Sequence, residues 1–274
     1  MKEYRLGIYE KAMPEGLSWE EKLRAGREAG FDALEMSIDE TDGRLARLEW
    51  DSGERRRLMR LSREMELPIN TMCLSGHRKY PLGSAVKETE ARGMEIMRKA
   101  LQLAYDMGIR IIQLAGYDVY YGEETTPGTR ERFLQNLYKS VKMASSCGVI
   151  LALETMENSF LNTVEKAMYY VETIQSPYLQ VYPDVGNITN AVEDVGKDLR
   201  RGKGHIAAAH LKETVPGVYR NLKFGEGRVD FALVGQVLRS MDVSMFTAEF
   251  WYDGSAGWKE TLRESGSYLR KYLP

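Results

Sequence analysis

Short apolar runs alternate with longer amphipathic stretches along the 274-residue chain, and this alternation restricts the fold more than any other feature of the sequence. The runs are rich in Val, Ile, Leu and Ala, which is typical of parallel strands that are buried on both faces. Eight of them are predicted as strands: YRLGIYE from Tyr4, FDALEMSI from Phe31, PINTMCLS from Pro68, IRIIQLAG from Ile109, VILALETM from Val149, LQVYPDVG from Leu179, IAAAHLKE from Ile206 and MFTAEFWY from Met245.

The stretches between these runs carry apolar side chains at helical spacing. Helices are predicted over residues 17–29, 53–65, 86–107, 129–146, 163–174, 194–201, 231–240 and 259–272. N-terminal capping signals are present at three of them: Ser18 with Glu21, Asn162 with Glu165, and Thr126 with Pro127. Glycines stand where three predicted helices end: Gly30, Gly108 and Gly148.

Eight strands that alternate with eight helices predict the α/β class and a (β/α)8 TIM barrel. A doubly wound open sheet is the alternative, but it usually has fewer strands and a glycine-rich first turn of the G-x-G-x-x-G type. The segment GIYEKAMPEG after the first run does not supply that turn. No linker or shift in composition divides the chain, so we expect one domain over residues 1–274.

The composition is that of a globular protein, with 43% hydrophobic and 28% charged residues. The net charge of −2 gives no electrostatic footprint for nucleic acid or an anionic membrane. The polar N-terminal segment differs from a signal peptide, and no apolar run is long enough to span a membrane. We therefore expect a cytoplasmic protein in which Cys73 and Cys147 remain reduced.

Ionisable residues collect at the ends of four predicted strands: Glu154, Asp184, His210 and Glu249. In a TIM barrel the active site forms at these carboxyl ends. Burying unpaired charges is costly, and three carboxylates at one place repel each other unless a cation lies between them. The pattern therefore predicts a divalent metal site, and its ligand types suit Mg²⁺, Mn²⁺ or Zn²⁺ without choosing among them.

Other polar residues near the strand ends are less constrained. Glu35 ends the second predicted strand, and it either lines the site or has a surface or hydrogen-bonding role. Glu157 lies beyond Glu154 and is expected to be exposed to solvent. His77 is not predicted to bind the metal, and His205 precedes the seventh strand, on the far side of the barrel, where a structural role is expected.

Blocks of sequence spread over nearly the whole chain carry a family resemblance. They are GIYEKAMP, LEMSIDETD, CLSGHRKYPLGS, LALETMENSFLN, VYPDVGN, HLKETVPGVYRNLKFGEGRVDF and AEFW. On these blocks the chain resembles the xylose-isomerase-like barrels, and more narrowly the L-ribulose-5-phosphate 3-epimerase (L-xylulose-5-phosphate 3-epimerase) family of pentose and ascorbate catabolism. The combination of HLKET, FGEG and YPDVGN is specific, whereas any one block would be weak.

The resemblance implies that Glu154, Asp184, His210 and Glu249 hold a divalent metal ion and that the two glutamates are the acid and base. Many sugar epimerases of the wider superfamily have histidine three residues after the aspartate, where this chain has Asn187. The phosphopentose branch resembles this chain in that respect, which favours the narrower assignment. The resemblance also implies a homodimer.

The residue types suit epimerisation at the carbon next to a ketone. A base must remove a weakly acidic C3 proton, and a second group must return a proton to the opposite face. The enediolate formed between the two steps is stabilised by a cation. Because the fifth and eighth strands lie on different sides of a barrel mouth, Glu154 and Glu249 can face each other across a ketopentose 5-phosphate.

A phosphate group requires donors at the rim of the barrel. One candidate set follows the seventh strand: Lys212, Lys223 and the FGEGR segment that ends at Arg228. A second set lies in the SGHRKYPLGS loop after the third strand: Ser75, His77, Arg78 and Lys79, of which His77 and Arg78 are favoured by their position. Aromatic residues able to wall the sugar, or simply to pack, follow strands four and eight: Tyr117, Tyr120, Tyr121 and Trp251.

Three other functions are alternatives to this epimerisation. An apurinic endonuclease of the type IV barrel kind requires three metals and more than the 3 histidines present, together with a DNA-binding surface. An epimerase or isomerase of unphosphorylated ketoses, or of hydroxypyruvate, would use the same four residues and differ only at the rim. A non-catalytic sugar-binding relative would have no reason to keep both glutamates.

Overall fold

The computed structural model describes residues 4–220 and 222–273. Eight parallel strands form one sheet in the order β6-β5-β4-β3-β2-β1-β8-β7. The strands are β1 Arg5–Tyr9, β2 Ala33–Ile38, β3 Ile69–Leu74, β4 Ile111–Ala115, β5 Ile150–Glu154, β6 Leu179–Tyr182, β7 Ala209–Leu211 and β8 Met245–Ala248. Each one lies inside an apolar run that the sequence predicted as a strand.

Backbone contacts between β6 and β7 close the sheet into a barrel. Parallel bridges join Val181 to Ile206 and Asp184 to His210. The backbone N–H of His210 donates to the carbonyl of Pro183 at 2.9 Å. The prediction of a (β/α)8 barrel is confirmed, and the closure brings the carboxyl ends of all eight strands to one mouth.

Ten α-helices are found in the described residues. They are α1 Trp19–Glu28, α2 Asp42–Leu45, α3 Ser52–Glu64, α4 Lys87–Met107, α5 Pro127–Cys147, α6 Val164–Ile174, α7 Val185–Ala191, α8 Val195–Arg201, α9 Phe231–Arg239 and α10 Trp258–Arg270. Eight of them match the predicted helices to within two residues at each end. The short helices α2 and α7 were not predicted, because they are too short to show a helical repeat of apolar residues.

The helix boundaries follow their local chemistry. Ser18 and Glu21 form the predicted capping box, and Pro127 occupies the first turn of α5 behind its cap. The prediction for α6 was wrong by one residue: Thr163 is the cap and accepts a hydrogen bond from Lys166 N. The predicted glycines do adopt left-handed backbone at the helix ends: Gly30, Gly108 and Gly148 have φ angles of 87°, 71° and 66°.

Two apolar clusters lie on opposite sides of the barrel wall. The larger cluster lies between the strands and the surrounding helices and includes Leu34 and Met36 of β2. A small cluster inside the barrel consists of Ile111, Ala152, Tyr182 and Ala208. Because side chains alternate along a strand, the residues that follow these on the inner face project toward the barrel mouth. The apolar interior thus forms a floor beneath the strand ends.

The structure also bears on the two cysteines and on membrane-spanning segments. Cys73 and Cys147 are both free of disulfide bonds. Within the described ranges, none of the helices combines the length and the apolar character that crossing a membrane requires.

Candidate metal centre and active site

Four ionisable side chains from four different strand ends meet at the mouth of the barrel. Glu154 is the last residue of β5, Asp184 caps the N-terminus of α7, His210 lies within β7, and Glu249 directly follows β8. One ligand atom from each residue lies within 4.8 Å of those of the other three. All four are buried, so the structure brings together the set that the sequence singled out.

Hydrogen bonds orient these groups toward one another. His210 Nδ1 lies 2.7 Å from Glu154 Oε1 and 3.5 Å from Glu249 Oε2. Gln113 Nε2 from β4 donates to the other Glu154 oxygen. Asp184 Oδ1 accepts the backbone N–H of Asn187 at 3.0 Å, and Oδ2 faces the Lys212 ammonium. The unpredicted helix α7 therefore has a function, because its first turn fixes the Asp184 carboxylate.

Two carboxylate oxygens in the cluster are suited to a cation. Asp184 Oδ2 and Glu249 Oε2 are buried and accept no hydrogen bond of good geometry. The Lys212 ammonium forms an ion pair with Asp184 and lies 3.4 Å from Glu249 Oε2. Buried oxygens of this kind, beside an imidazole nitrogen, form a donor set that fits a divalent metal ion.

Burial and neighbouring charge shift the pKa values of the cluster in different directions. Burial raises the pKa of Asp184 to about 8, although Lys212 acts against it. Burial also raises the pKa of Glu154, with His210 opposing the shift. At Glu249, by contrast, Lys212 and His210 outweigh burial and lower the pKa to about 2. Glu154 and Glu249 therefore shift in opposite directions, a pattern that occurs in sites where two carboxyl groups divide the acid and base roles.

A cavity of about 620 Å³ opens above this cluster. Cations, carboxylates and aromatic rings share its wall, which includes Tyr9, Lys11, Asp39, Glu40, Thr41, Cys73, Ser75, Arg78, Tyr120, Glu154, Met156, Glu157, Lys212, Tyr219, Arg220, Glu249 and Trp251. Lys212 belongs to the buried cluster, whereas Lys11 and Arg78 lie in short 3-10 helices and Arg220 lies on a loop outside it. The cavity is large enough for a small phosphorylated sugar, whose polar groups its lining can contact.

The rim residues predicted from sequence divide into two groups. Ser75, Arg78 and Lys212 line the cavity, as expected for residues that contact a substrate. The Arg78 guanidinium lies beside the paired rings of Tyr117 and Tyr120, 5.7 and 5.4 Å from their centres.

His77, Lys223 and Arg228, which were also named as rim candidates, do not line this cavity. His77 is buried with Nε2 3.1 Å from the carbonyl of Gly93, and burial lowers its pKa to about 4. Lys223 lies at a separate small cavity beside Trp258. Arg228 donates to the carbonyl of Thr189 at 3.0 Å, which turns it away from the mouth. Loop direction, which the sequence does not specify, decides these positions.

Glu35, at the end of β2, does not line the cavity. Its carboxylate is fully buried, and Oε1 is 2.6 Å from His210 Nε2. A hydrogen-bonding role, which was the alternative expectation, is the one observed. Glu157 was expected to be exposed, but it is half-buried and lines the cavity, where it accepts a hydrogen bond from Tyr117.

Several cavity residues were not singled out from the sequence. Lys11 and Asp39 form an ion pair at 2.5 Å. The Arg220 guanidinium stacks 4.8 Å from the centre of the Trp251 ring. Gln113 does not line the cavity but is buried and contacts Glu154. In the sequence it stands inside the apolar run IRIIQLAG, where an amide is itself a signal, because a buried amide needs a hydrogen-bond partner.

Comparison with known proteins agrees with this geometry. Residues 23–272 match the family described as xylose isomerase-like TIM barrel. In fold the chain is similar to D-psicose 3-epimerase from Clostridium cellulolyticum H10, with a TM-score of 0.85 and 15% identity over 98% of this chain and 99% of that chain. It is also similar to a structure of L-ribulose 3-epimerase, with a TM-score of 0.78 and 22% identity over 98% of this chain and 93% of that one.

Sequence similarity to curated proteins is closer. L-ribulose-5-phosphate 3-epimerase UlaE of Salmonella paratyphi A is 49% identical over 238 residues, which are 87% of this chain and 84% of that protein. The protein of the same name from Escherichia coli (strain SE11) has the same identity and coverage. The chain therefore belongs to the L-ribulose-5-phosphate 3-epimerase family within the xylose isomerase-like TIM barrels, and it is an isomerase.

Proposed function

We propose that this protein is a metal-dependent 3-epimerase that interconverts L-xylulose 5-phosphate and L-ribulose 5-phosphate. The observation that carries the proposal is the convergence of ligand atoms from Glu154, Asp184, His210 and Glu249 within 4.8 Å at the floor of a cavity. The names of the 49% identical relatives support the choice of reaction and substrate.

The same four side chains would hold the metal ion, because each offers one buried ligand atom toward the others. A bound divalent cation supplies Lewis-acid stabilisation of the negative charge that develops on the substrate oxygens. The protein's contribution is to fix the donors in place: Asn187 N holds Asp184, and Gln113 holds Glu154.

The two glutamates would remove the proton from C3 and return one to it. Glu154 comes from β5 and Glu249 follows β8, so two other strands separate them around the barrel wall. A ketose bound between them can lose its C3 proton to one carboxylate, and the planar enediolate that results can receive a proton at C3 from the other. The roles exchange with the direction of the reaction. Protonation from the face opposite to deprotonation is what inverts C3.

The phosphate group would lie away from this floor, toward the loops of the mouth. Lys11, Arg78 and Arg220 line the cavity there, and guanidinium and ammonium groups are the usual partners of phosphate. The Lys212 ammonium already pairs with Asp184 and lies close to Glu249, so we do not assign it to the phosphate. It would instead contact substrate oxygens near the reacting carbon.

A second candidate is an epimerase of unphosphorylated ketoses, and one observation favours it. Two of the mouth cations already have carboxylate partners: Lys11 pairs with Asp39 at 2.5 Å, and Arg78 lies 3.4 Å from Glu40. A substrate phosphate would have to compete with those carboxylates. Isomerisation of hydroxypyruvate is a related alternative that differs in the carbon from which the proton is removed.

Proton exchange in D₂O tests the proposal directly. The purified protein is loaded with Zn²⁺, Mn²⁺ or Mg²⁺ and incubated with L-ribulose 5-phosphate, L-ribulose or hydroxypyruvate, and products are followed by NMR. Deuterium at C3 of the phosphate ester, with inversion, is the expected result. A kcat/KM that is higher for free L-ribulose than for L-ribulose 5-phosphate would establish the second candidate. Exchange of the C3 proton of hydroxypyruvate, without exchange in either ketose, would indicate an isomerase of hydroxypyruvate.

The assembly and location belong to the same proposal. We infer a cytoplasmic homodimer of one barrel domain per chain, supported by the resemblance of the chain to its family. Light scattering coupled to size-exclusion chromatography measures the mass directly. A mass near 31.3 kDa would contradict the dimer.

A further inference from the structure

The His210 ring lies between two carboxylates, one on each nitrogen. Nδ1 faces Glu154 Oε1 at 2.7 Å, on the side where the ligand atoms converge. Nε2 faces Glu35 Oε1 at 2.6 Å, on the side of the barrel interior. The ring is further held by Tyr182, whose ring centre is 4.7 Å away at an interplanar angle of 63°. The two nitrogens therefore occupy chemically distinct positions.

Glu35 is itself fixed by neighbours on two other strands. Its Oε2 accepts a hydrogen bond from Thr71 Oγ1 at 2.8 Å and one from the Tyr182 hydroxyl at 2.9 Å. The Tyr182 hydroxyl also lies 3.0 Å from Thr247 Oγ1. With His210, these contacts give the Glu35 carboxylate three donors and leave it fully buried. It does not line the substrate cavity, so it has no contact with a substrate there.

The backbone places Glu35 at this depth through a local irregularity. The pairing of β2 with β3 shifts between Leu34 and Glu35, so that Leu34 pairs with Ile69 and Glu35 pairs with Thr71. A shift of this kind changes the direction of a side chain on the bulged strands. Here it aligns the carboxylate with its hydroxyl donor on β3 and with the imidazole across the barrel.

We propose that Glu35 is a positioning residue that holds His210 as the Nε2–H tautomer and so presents the Nδ1 lone pair to the metal ion. A neutral imidazole has one N–H, and an ionised carboxylate accepts but does not donate. Both nitrogens face carboxylates, but Nδ1 lies on the side where the four ligand atoms converge. A metal ion bound there would take the Nδ1 lone pair, so the one N–H would lie at Nε2 and be donated to Glu35. This inference rests on the metal site of the proposed function and assigns a role to a residue outside the four ligands.

Metal affinity is the first test. Glu35→Leu removes the acceptor, and Glu35→Gln keeps an acceptor but removes the charge. We expect the Kd for Zn²⁺, measured by chelator competition, to rise on the order of 10- to 100-fold in Glu35→Leu, with a smaller rise in Glu35→Gln. Thr71→Val is the matched control, because it removes one donor to Glu35 and leaves the contact with His210. Wild-type Zn²⁺ affinity in Glu35→Leu would overturn the inference.

The second test uses the wild-type protein and does not depend on whether a variant folds. The chain contains 3 histidines, so ¹⁵N-histidine labelling gives few imidazole signals. On addition of Zn²⁺ we expect one ring to show a metal-bound Nδ1 and a protonated Nε2. A metal-bound Nε2 with Nδ1 protonated would overturn the inference and leave the proposed function intact. If no imidazole signal responds and no Zn²⁺ binds, both proposals are wrong.

Discussion

Lys212 Nζ lies 3.4 Å from Glu249 Oε2, and both side chains are buried at the floor of the cavity. The same ammonium pairs with Asp184. Lys212 therefore balances negative charge among side chains that would otherwise repel one another. This relationship links the stability of the barrel mouth to the state of the proposed metal site.

Replacing Lys212 with methionine is expected to destabilise the metal-free protein by about 3–5 kcal/mol, because two buried carboxylates lose their cation. Saturating divalent metal should restore part of that loss, since a bound cation supplies the missing charge. Thermal unfolding with EDTA and with metal measures both effects. Lys203→Met, at an exposed position, is the control and should change stability by about 0.5 kcal/mol or less. Equal destabilisation in EDTA and in metal would contradict the charge-balancing role.

Substituting either of the two glutamates proposed as acid and base should separate proton exchange from epimerisation. Glu154→Gln and Glu249→Gln are each expected to lower kcat by about 10²- to 10⁴-fold. Each variant keeps one base, so it should exchange the C3 proton of one epimer with D₂O and leave the other epimer unexchanged. The bound metal is quantified in parallel, because both residues belong to the ligand cluster. Near-wild-type turnover of both variants with metal bound would rule out the two-base scheme.

Lys11 provides a test of phosphate recognition. Lys11→Met removes a cation from the cavity wall, and a charge-assisted hydrogen bond contributes about 1.5–3 kcal/mol. We expect KM for L-ribulose 5-phosphate to rise by about tenfold or more, with little change in KM for L-ribulose. Steady-state kinetics on the two ketoses give the comparison. Arg24→Met, on the exposed face of α1, is the control. An equal rise for both ketoses would show that Lys11 does not contact the phosphate.

Glu10 is the centre of a buried ion cluster next to the cavity loop that carries Lys11. Arg47, Lys22 and Arg44 all pair with it, and despite burial they lower its pKa to about 2. Because the folded pKa lies below the value for an unfolded chain, near 4.5, the stabilisation is present above pH 4.5 and is lost as the pH falls toward 2.

Glu10→Gln should therefore cost about 3 kcal/mol or more at pH 7, because the buried Lys22 and Arg44 and the half-buried Arg47 lose the carboxylate that they share. The difference between wild type and variant should narrow as the pH falls from 4.5 toward 2. Urea unfolding at a series of pH values measures it. A difference that does not depend on pH in that range would contradict the assignment of the low pKa to Glu10.

The buried His77 should make the stability of the protein depend on pH in a different range. Burial lowers its pKa from 6.5 to about 4, so the folded protein disfavours the protonated ring. The unfolded chain binds a proton first as the pH falls, and stability is lost between pH 6.5 and 4 by about 3 kcal/mol. His77→Gln should flatten the dependence of unfolding free energy on pH within that window. An unchanged slope would show that another group titrates there.

The local features of the fold could be predicted from the sequence because they depend on neighbouring residues. Apolar runs, capping residues such as Ser18 and glycines such as Gly108 act within one or two turns of chain, and the structure places all three as predicted. The four strand-end residues could also be found, since a barrel brings every strand end to the same mouth. Family resemblance then supplied the reaction.

The positions of the other site residues depend on contacts between segments that are far apart in the sequence. His77 and Arg78 are adjacent in sequence, yet Arg78 lines the cavity and His77 is turned to Gly93. Glu35 and His210 are 175 residues apart, and the strand sequences gave no sign that they meet at 2.6 Å. The pairing shift between β2 and β3 and the directions of the loops decide these contacts. Both are set by the packing of the whole barrel, so only the tertiary structure separates the residues that line the cavity from those that hold the candidate ligands in place.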